Sequence, residues 1–270
     1  MRRMIDFECG GDRLVGTLDE GNASSGLLIV SGGNEIRSGA YAGQAAMAKH
    51  FAALGTPVFR YDRRGVGDSE GSNRGFESTA DDIAAAGAVF RAEAPHIDRI
   101  VAFGNCDAAT ALAFFHVGID SLVLANPWVI EATASEPDAP TPPSAAAVRA
   151  RYLARLKNPR SLLDLLTGKI DLKKLAGGLA KAARKETPTG LAARLAASLA
   201  ASSLPTQLLV AERDTTALAF IRAYKSPLFD AVRSRTDVTL SKCDSASHSF
   251  ADAAAKTWLY DHIARALSGS

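Results

Sequence analysis

Along the chain, short apolar runs alternate with longer stretches of helical spacing, and turn residues separate them. The opening "IDFECGGDRLVGTLDEG" alternates apolar and polar positions around Gly10-Gly11, the pattern of a β-hairpin. "GLLIVSGG" is a compact apolar run ending in glycines, as a strand buried on both faces would be. "AYAGQAAMAKHFAALG" has helical spacing and stops at Gly55, and "TPVFRYD" is the next strand. The glycine-rich loop "RRGVGDSEG" leads to the helix "TADDIAAAGAVFRAEAP", then strand "RIVAFG", helix "AATALAFFHVG" and strand "SLVLANPW". Strands alternating with helices in this way predict an α/β fold, a mostly parallel sheet with helices on both faces.

After Trp128 the rhythm breaks. Residues 131–145 are rich in Pro, Ala, Ser and Asp and read as a loop, and from there to about 203 the chain is helical, alanine- and leucine-rich and basic. Strand grammar resumes at "LPTQLLVAERD", followed by helix "ALAFIRAY", strand "DVTLSKCD" and closing helix "TWLYDHIARALS". This predicts one core built from residues 1–130 and 204–270, interrupted by a helical cap at 131–203.

Composition narrows the classes. At 270 residues the chain can bury a large core, and 47% of it is hydrophobic. A net charge of +2 with mixed signs argues against a nucleic-acid binder driven by overall charge. No apolar run reaches the ~18–20 residues of a membrane span. The start "MRRMIDFECGGDRL" carries two arginines but no apolar segment behind them, which argues against a secretory signal. Three cysteines, at 9, 106 and 243, make no disulfide framework and suit a reducing compartment, so a cytoplasmic protein is expected.

Chemistry enters at "GNCDAA". Cys106 follows a strand and opens a helix, with the small residues Gly104 and Ala108 two positions to either side. A nucleophile on a sharp strand-to-helix turn needs small neighbours, and the helix N-terminus behind it favours a thiolate. The alternative is a buried cysteine filling a gap. A nucleophile also needs a base and a group to orient that base. In the order expected on such a sheet, Asp214 follows the strand in "LLVAERD" and His248 follows the last strand in "KCDSASHSF". All three then lie at the carboxyl ends of parallel strands. Glu212 and Asp244 are rival acids. His50 and His262 in helices, His96 in a loop and His116 near a helix end fit surface or capping roles better.

Acyl chemistry requires donors for an oxyanion. The N–H of Asp107 supplies one, and Gly33 (or Asn34) in "SGGN" supplies a second. The Asp107 carboxylate beside the thiol opposes a thiolate unless it is paired, and Arg37 is the candidate partner. "DRRGVGDSEG" lacks the ending of a P-loop and is too short for a dinucleotide fingerprint, so Asp62 and Arg63 are read as ties between strand ends. Cys243, Asp244 and His248 are too few ligands for zinc, and no metal or cofactor is expected.

These pieces carry a resemblance. "DRRGVGDS", the Cys106 turn, the acid loop and the final histidine resemble the α/β-hydrolase fold. More narrowly, "GGNEIRSG", "GNCDAA", "NPW" and "HSF" resemble the type 1 hydrolases associated with the exosortase A system. The resemblance implies Cys106 as nucleophile, with Asp214 and His248 as acid and base. It also implies a setting in bacterial exopolysaccharide and protein-sorting systems. The expected reaction is cleavage of an ester or thioester through an acyl-thioenzyme, with Asn34, Arg37 and Trp128 against the substrate. An acyltransferase on the same residues, or a non-catalytic binding relative, are the alternatives. In the cap, "RSLLDLLTGKIDLKKLAGGLAKAARK" sets leucines at helical spacing opposite Lys and Arg. That face is either a solvated surface or a contact for an anionic carrier or the inner membrane.

Overall fold

A computed structural model describes residues 1–131 and 190–269. Most of the predicted cap (132–189) therefore lies outside the described residues. The hairpin forms as β1 (Arg2–Cys9) and β2 (Asp12–Asp19), antiparallel in full register, with both turn glycines at positive φ. It leads into β3 (Ser25–Val30), α1 (Gly43–Ala53), β4 (Val58–Tyr61), α2 (Ala80–Glu93), β5 (Arg99–Asn105), α3 (Asp107–Phe114) and β6 (Ser121–Ala125). Beyond the insertion come α4 (Gly190–Ala201), β7 (Thr206–Ala211), α5 (Thr215–Tyr224), the single turn α6 (Asp230–Arg233), β8 (Val238–Cys243) and α7 (Ala253–Ser268).

The eight strands form one sheet in the order β1-β2-β4-β3-β5-β6-β7-β8. β2 joins β4 antiparallel, and every pair from β4 to β8 is parallel. Side chains on a strand point alternately to opposite faces, so a central strand must be apolar at every position. β3 does this: Leu28 and Val30 join one core with α2, α3, α4 and α5, while Leu27 and Ile29 join the other with α1 and α7. β5 and β6 divide the same way, with Ala102 and Leu124 on the first face and Phe103 and Val123 on the second. Two apolar layers with helices over each hold the sheet rigid. The loops at the carboxyl ends of β3, β5, β6, β7 and β8 therefore emerge from one fixed edge.

Two expectations need correcting. The helix predicted from Ala40 begins at Gly43, because Tyr41 and Ala42 have left-handed backbones (φ 51° and 57°) and break the first turn. Helix α4, read as the last part of the cap, belongs instead to the core. Its Ala192, Leu195, Ala196 and Leu199 pack into the layer that holds α3, and its Ser198 hydroxyl donates to the Ala113 carbonyl at 2.6 Å. Among the described residues no helix is long and apolar enough to cross a membrane.

Candidate active site

The turn between β5 and α3 is strained. Cys106 has φ 62° and ψ −126°, outside the regions open to ordinary L-residues, and is held there by its N–H on Ala125 O at 2.9 Å. Its carbonyl accepts from Trp128 N at 3.2 Å. The small neighbours have a physical reason. A Cβ on residue 104 would lie 2.8 Å from the Ala108 carbonyl carbon, so only glycine lets the strand fold back against the helix. Cys106 is part-exposed at the cleft, whereas Cys9 and Cys243 are buried. Burial, with Asp82 beside it, pushes the Cys9 thiol up to about 11. Burial, with Asp252 nearby, also raises Cys243.

The loops after β7 and β8 bring the acid and the imidazole together. His248 Nδ1 lies 3.1 Å from Asp214 Oδ2, and because a carboxylate only accepts, Nδ1 carries the proton. Asp214 is also the N-cap of α5, accepting from Ala217 N at 3.0 Å, which fixes its carboxylate independently of the histidine. Burial pushes this carboxyl up, but the bonds from His248 and Ala217 outweigh it and hold it below the usual aspartate value. His248 rises to about 10, first through the Asp214 bond and then through the nearby Cys106 thiol. The ring thus stands bonded to Asp214 on the wall of the cleft that Cys106 also lines. The rival acids are engaged elsewhere, Glu212 with Lys242 at 3.1 Å and Asp244 with Arg213 at 2.8 Å.

Two asparagines hold the imidazole loop in place. The His248 carbonyl accepts from Asn126 Nδ2 at 2.9 Å and from Asn105 Nδ2 at 3.2 Å. Asn126, fully buried, also accepts from Ala211 N at 2.9 Å, three residues before Asp214. One amide therefore ties the ends of β6 and β7 to the histidine loop. Sequence reasoning missed Asn126, although it stands between a buried strand and a proline and has φ 42°, a backbone that Asn tolerates better than most residues.

The oxyanion side differs from expectation. The Asp107 N–H, first in α3, has no partner within the helix. The Gly33 N–H, however, is taken by the Asp107 carboxylate, 2.8 Å from Oδ1 and 2.9 Å from Oδ2. The predicted Asp107–Arg37 pair does not form. Asp62, fully buried at the end of β4, takes the Arg37 backbone N–H at 2.5 Å and its guanidinium, and Asp68 takes the other Nη at 2.9 Å. Asn34 is bonded to Asn73 at 2.8 Å. Neither Asn34 nor Arg37 therefore lines the cleft, and of the three expected substrate contacts only Trp128 does. Asp62 and Arg63 do act as ties, since Arg63 donates to the Gly33 carbonyl and Asp62 also accepts from Asp68 N.

The cleft has a volume of about 300 Å³, with Cys106, His248, Asp107 and Trp128 on its walls. Glu35 and Gln44 line it too, brought in by the loop between β3 and α1. Burial raises the Glu35 carboxyl.

No protein-family model and no curated protein matches the sequence. Solved structures do match. An esterase of Pyrococcus furiosus superposes with TM-score 0.65 at 13% identity, over 99% of this chain and 91% of that one. The α/β hydrolase GrgF from Penicillium gives 0.61 at 18% identity, over 98% and 97%. The thioesterase domain from the curacin biosynthetic pathway gives 0.54 at 14%, over 96% and 99%. With the strand order above, these likenesses identify the α/β-hydrolase fold.

Proposed function

We propose that this protein is a hydrolase of esters or thioesters that works through an acyl-thioenzyme on Cys106. The observation that carries the reading is the strained Cys106 turn, with the His248–Asp214 pair brought to the same cleft from the neighbouring strand ends. Esterases and a thioesterase among the similar structures support the reaction class.

His248 takes the thiol proton on Nε2, and Asp214 stabilises the imidazolium. Sγ attacks the substrate carbonyl carbon, and the charge that develops on oxygen is met by the Asp107 N–H and, once released, the Gly33 N–H. The carbonyl re-forms, the bond to the leaving alkoxide or thiolate breaks, and the leaving group takes the proton from His248. Water, deprotonated by His248, then attacks the acyl-thioenzyme, and Sγ departs with its electron pair. The setting in bacterial exopolysaccharide and protein-sorting systems belongs to the same proposal and rests on the motif resemblance, and a cytoplasmic location is proposed from the three unpaired cysteines.

The test is intact mass after brief exposure to acyl thioesters and aryl esters of graded length, with Cys106→Ala as control. A covalent acyl adduct only where Cys106 is present, decaying in water, is the expected result. An adduct that persists until an amine or hydroxyl acceptor is added would make the protein a transferase. Turnover without Cys106 would end the proposal.

A further inference from the structure

The Asp107 carboxylate occupies a donor that the reaction needs. Both of its oxygens face the Gly33 N–H, and the slot admits them because residue 32 has no side chain: a Cβ there would stand 2.3 Å from Asp107 Oδ1. One N–H cannot serve a carboxylate and a developing oxyanion together, since two like charges would share one donor. Before the second donor can act, Asp107 must move off it.

We propose that Asp107 is a specificity-determining residue, displaced from the Gly33 N–H by a cation on the acyl group, so that the preferred substrates are esters or thioesters with a protonated amine close to the carbonyl. This rests on Cys106 being the nucleophile.

The argument turns on where the displaced carboxylate goes. Lifted from its donor in a half-buried cleft, it needs a new partner. The arginine that sequence reasoning offered, Arg37, is held by Asp62 and Asp68, and Arg63, buried and donating one Nη to the Gly33 carbonyl, does not line the cleft. Among the described residues lining the cleft, His248 is the one group able to carry positive charge, and Asp214 engages it. Glu35 adds a second carboxylate to the same wall. An ammonium within a few bonds of the scissile carbonyl would reach Asp107, which directly follows the nucleophile. It would pair with the carboxylate and leave the Gly33 N–H to the oxyanion. A neutral chain of the same size would not.

Three S-(2-acetamidoethyl) thioesters test this, those of β-alanine, butanoic acid and succinic acid. The first two differ by an ammonium in place of a methyl group, and the third carries a carboxylate. Wild-type kcat/KM should favour β-alanyl over butanoyl by about tenfold, the size of one charge-assisted hydrogen bond, with succinyl slowest. In Asp107→Asn, whose neutral amide binds the donor more weakly, the ratio should fall towards one while the butanoyl rate rises. Asp107→Ala, with no acceptor at all, should behave the same way, so a folding defect in one variant does not decide the matter. Equal wild-type rates, or a preference that survives in Asp107→Asn, would overturn the inference. If no thioester labels Cys106, the nucleophile assignment fails. If all three label it equally, only the role of Asp107 does.

Discussion

The two flanks of Cys106 are built differently. On the imidazole flank the groups have fixed partners: Asp214 caps a helix, His248 bonds Asp214, and two asparagine amides close on the His248 carbonyl. On the oxyanion flank the loop after β3 carries two left-handed non-glycine residues, Tyr41 and Ala42, and its Gly33 N–H is closed by a carboxylate of the same chain. Preorganised general bases need no movement at the moment of reaction, and one half of this site meets that condition. Under the proposal for Asp107, the other half exchanges a partner first. On the proposed mechanism, the difference gives proton transfer to a rigid device and selectivity to a movable one.

The comparison breaks most completely if the rigid flank is removed. Cys106→Ala and His248→Ala are each expected to lower kcat by at least ~10³-fold, the scale on which members of such a unit act. Measured together in the double variant, the losses should not add, because either one alone disables the same step. Asn126→Ala comes next. It orphans the Ala211 N–H and takes one of two donors from the His248 carbonyl. Each buried group so exposed costs about 1–3 kcal/mol, readable as a lower urea midpoint. If Asn126 positions the imidazole, kcat should also fall with KM little changed, and the pH profile of Cys106 alkylation should shift. A purely structural role would lower the midpoint and leave that profile alone.

A smaller effect sharpens the movable flank, through a pair of glycines. Gly32→Ala drives a Cβ to within 2.3 Å of Asp107 Oδ1 and 2.9 Å of the Asn105 carbonyl oxygen. An overpacking cost of ~1–3 kcal/mol is expected, with the carboxylate pushed off its donor. At Gly33 a Cβ meets nothing within 4 Å, and only the positive φ of 55° resists it. Gly33→Ala should therefore cost about 1 kcal/mol. Urea unfolding of the two variants ranks them, and the reverse order would mean that the slot around Asp107 is looser than its contacts imply.

What was legible in the sequence follows the same division. Cys106, Asp214 and His248 are each recognisable from local grammar, a strand end followed by a turn, because small residues must flank a tight turn whatever packs around it. The two sheet faces were legible for the same reason, since strands such as "GLLIV" are apolar at every position. The partner of Arg37 was not, because Asp62 and Asp107 lie at the ends of different strands and only the strand order decides which one the loop meets. Glu35 and Gln44 reach the cleft by the path of that loop, which has no periodicity to read. Asn126 left a trace, an amide before a proline at a buried strand end, but its side-chain partners Asn105, Ala211 and His248 come from three other segments. The boundary of the insertion was misplaced because α4 has the apolar stripe of any packed helix, and spacing alone does not say which surface the stripe covers.

The smallest expected effect concerns pH and isolates the His248–Asp214 contact from catalysis. The folded pKa of His248 stands near 10, above the ~6.5 of a free imidazole. Between those values the folded chain binds more protons at this site than the unfolded chain, so stability falls as pH rises. The contribution is whole below about pH 6.5 and gone once pH passes about 10. Asp214 has the opposite sign: its lowered pKa supplies stability above the ordinary aspartate value, lost as acid titrates the folded carboxylate. With the ring part-exposed to solvent, screening keeps the effect modest. Urea midpoints of wild type and His248→Gln, compared at pH 6, 8 and 10, should therefore converge as pH climbs. Parallel curves would mean that the imidazolium is not held by Asp214, and the imidazole flank would then owe its order to the asparagine amides alone.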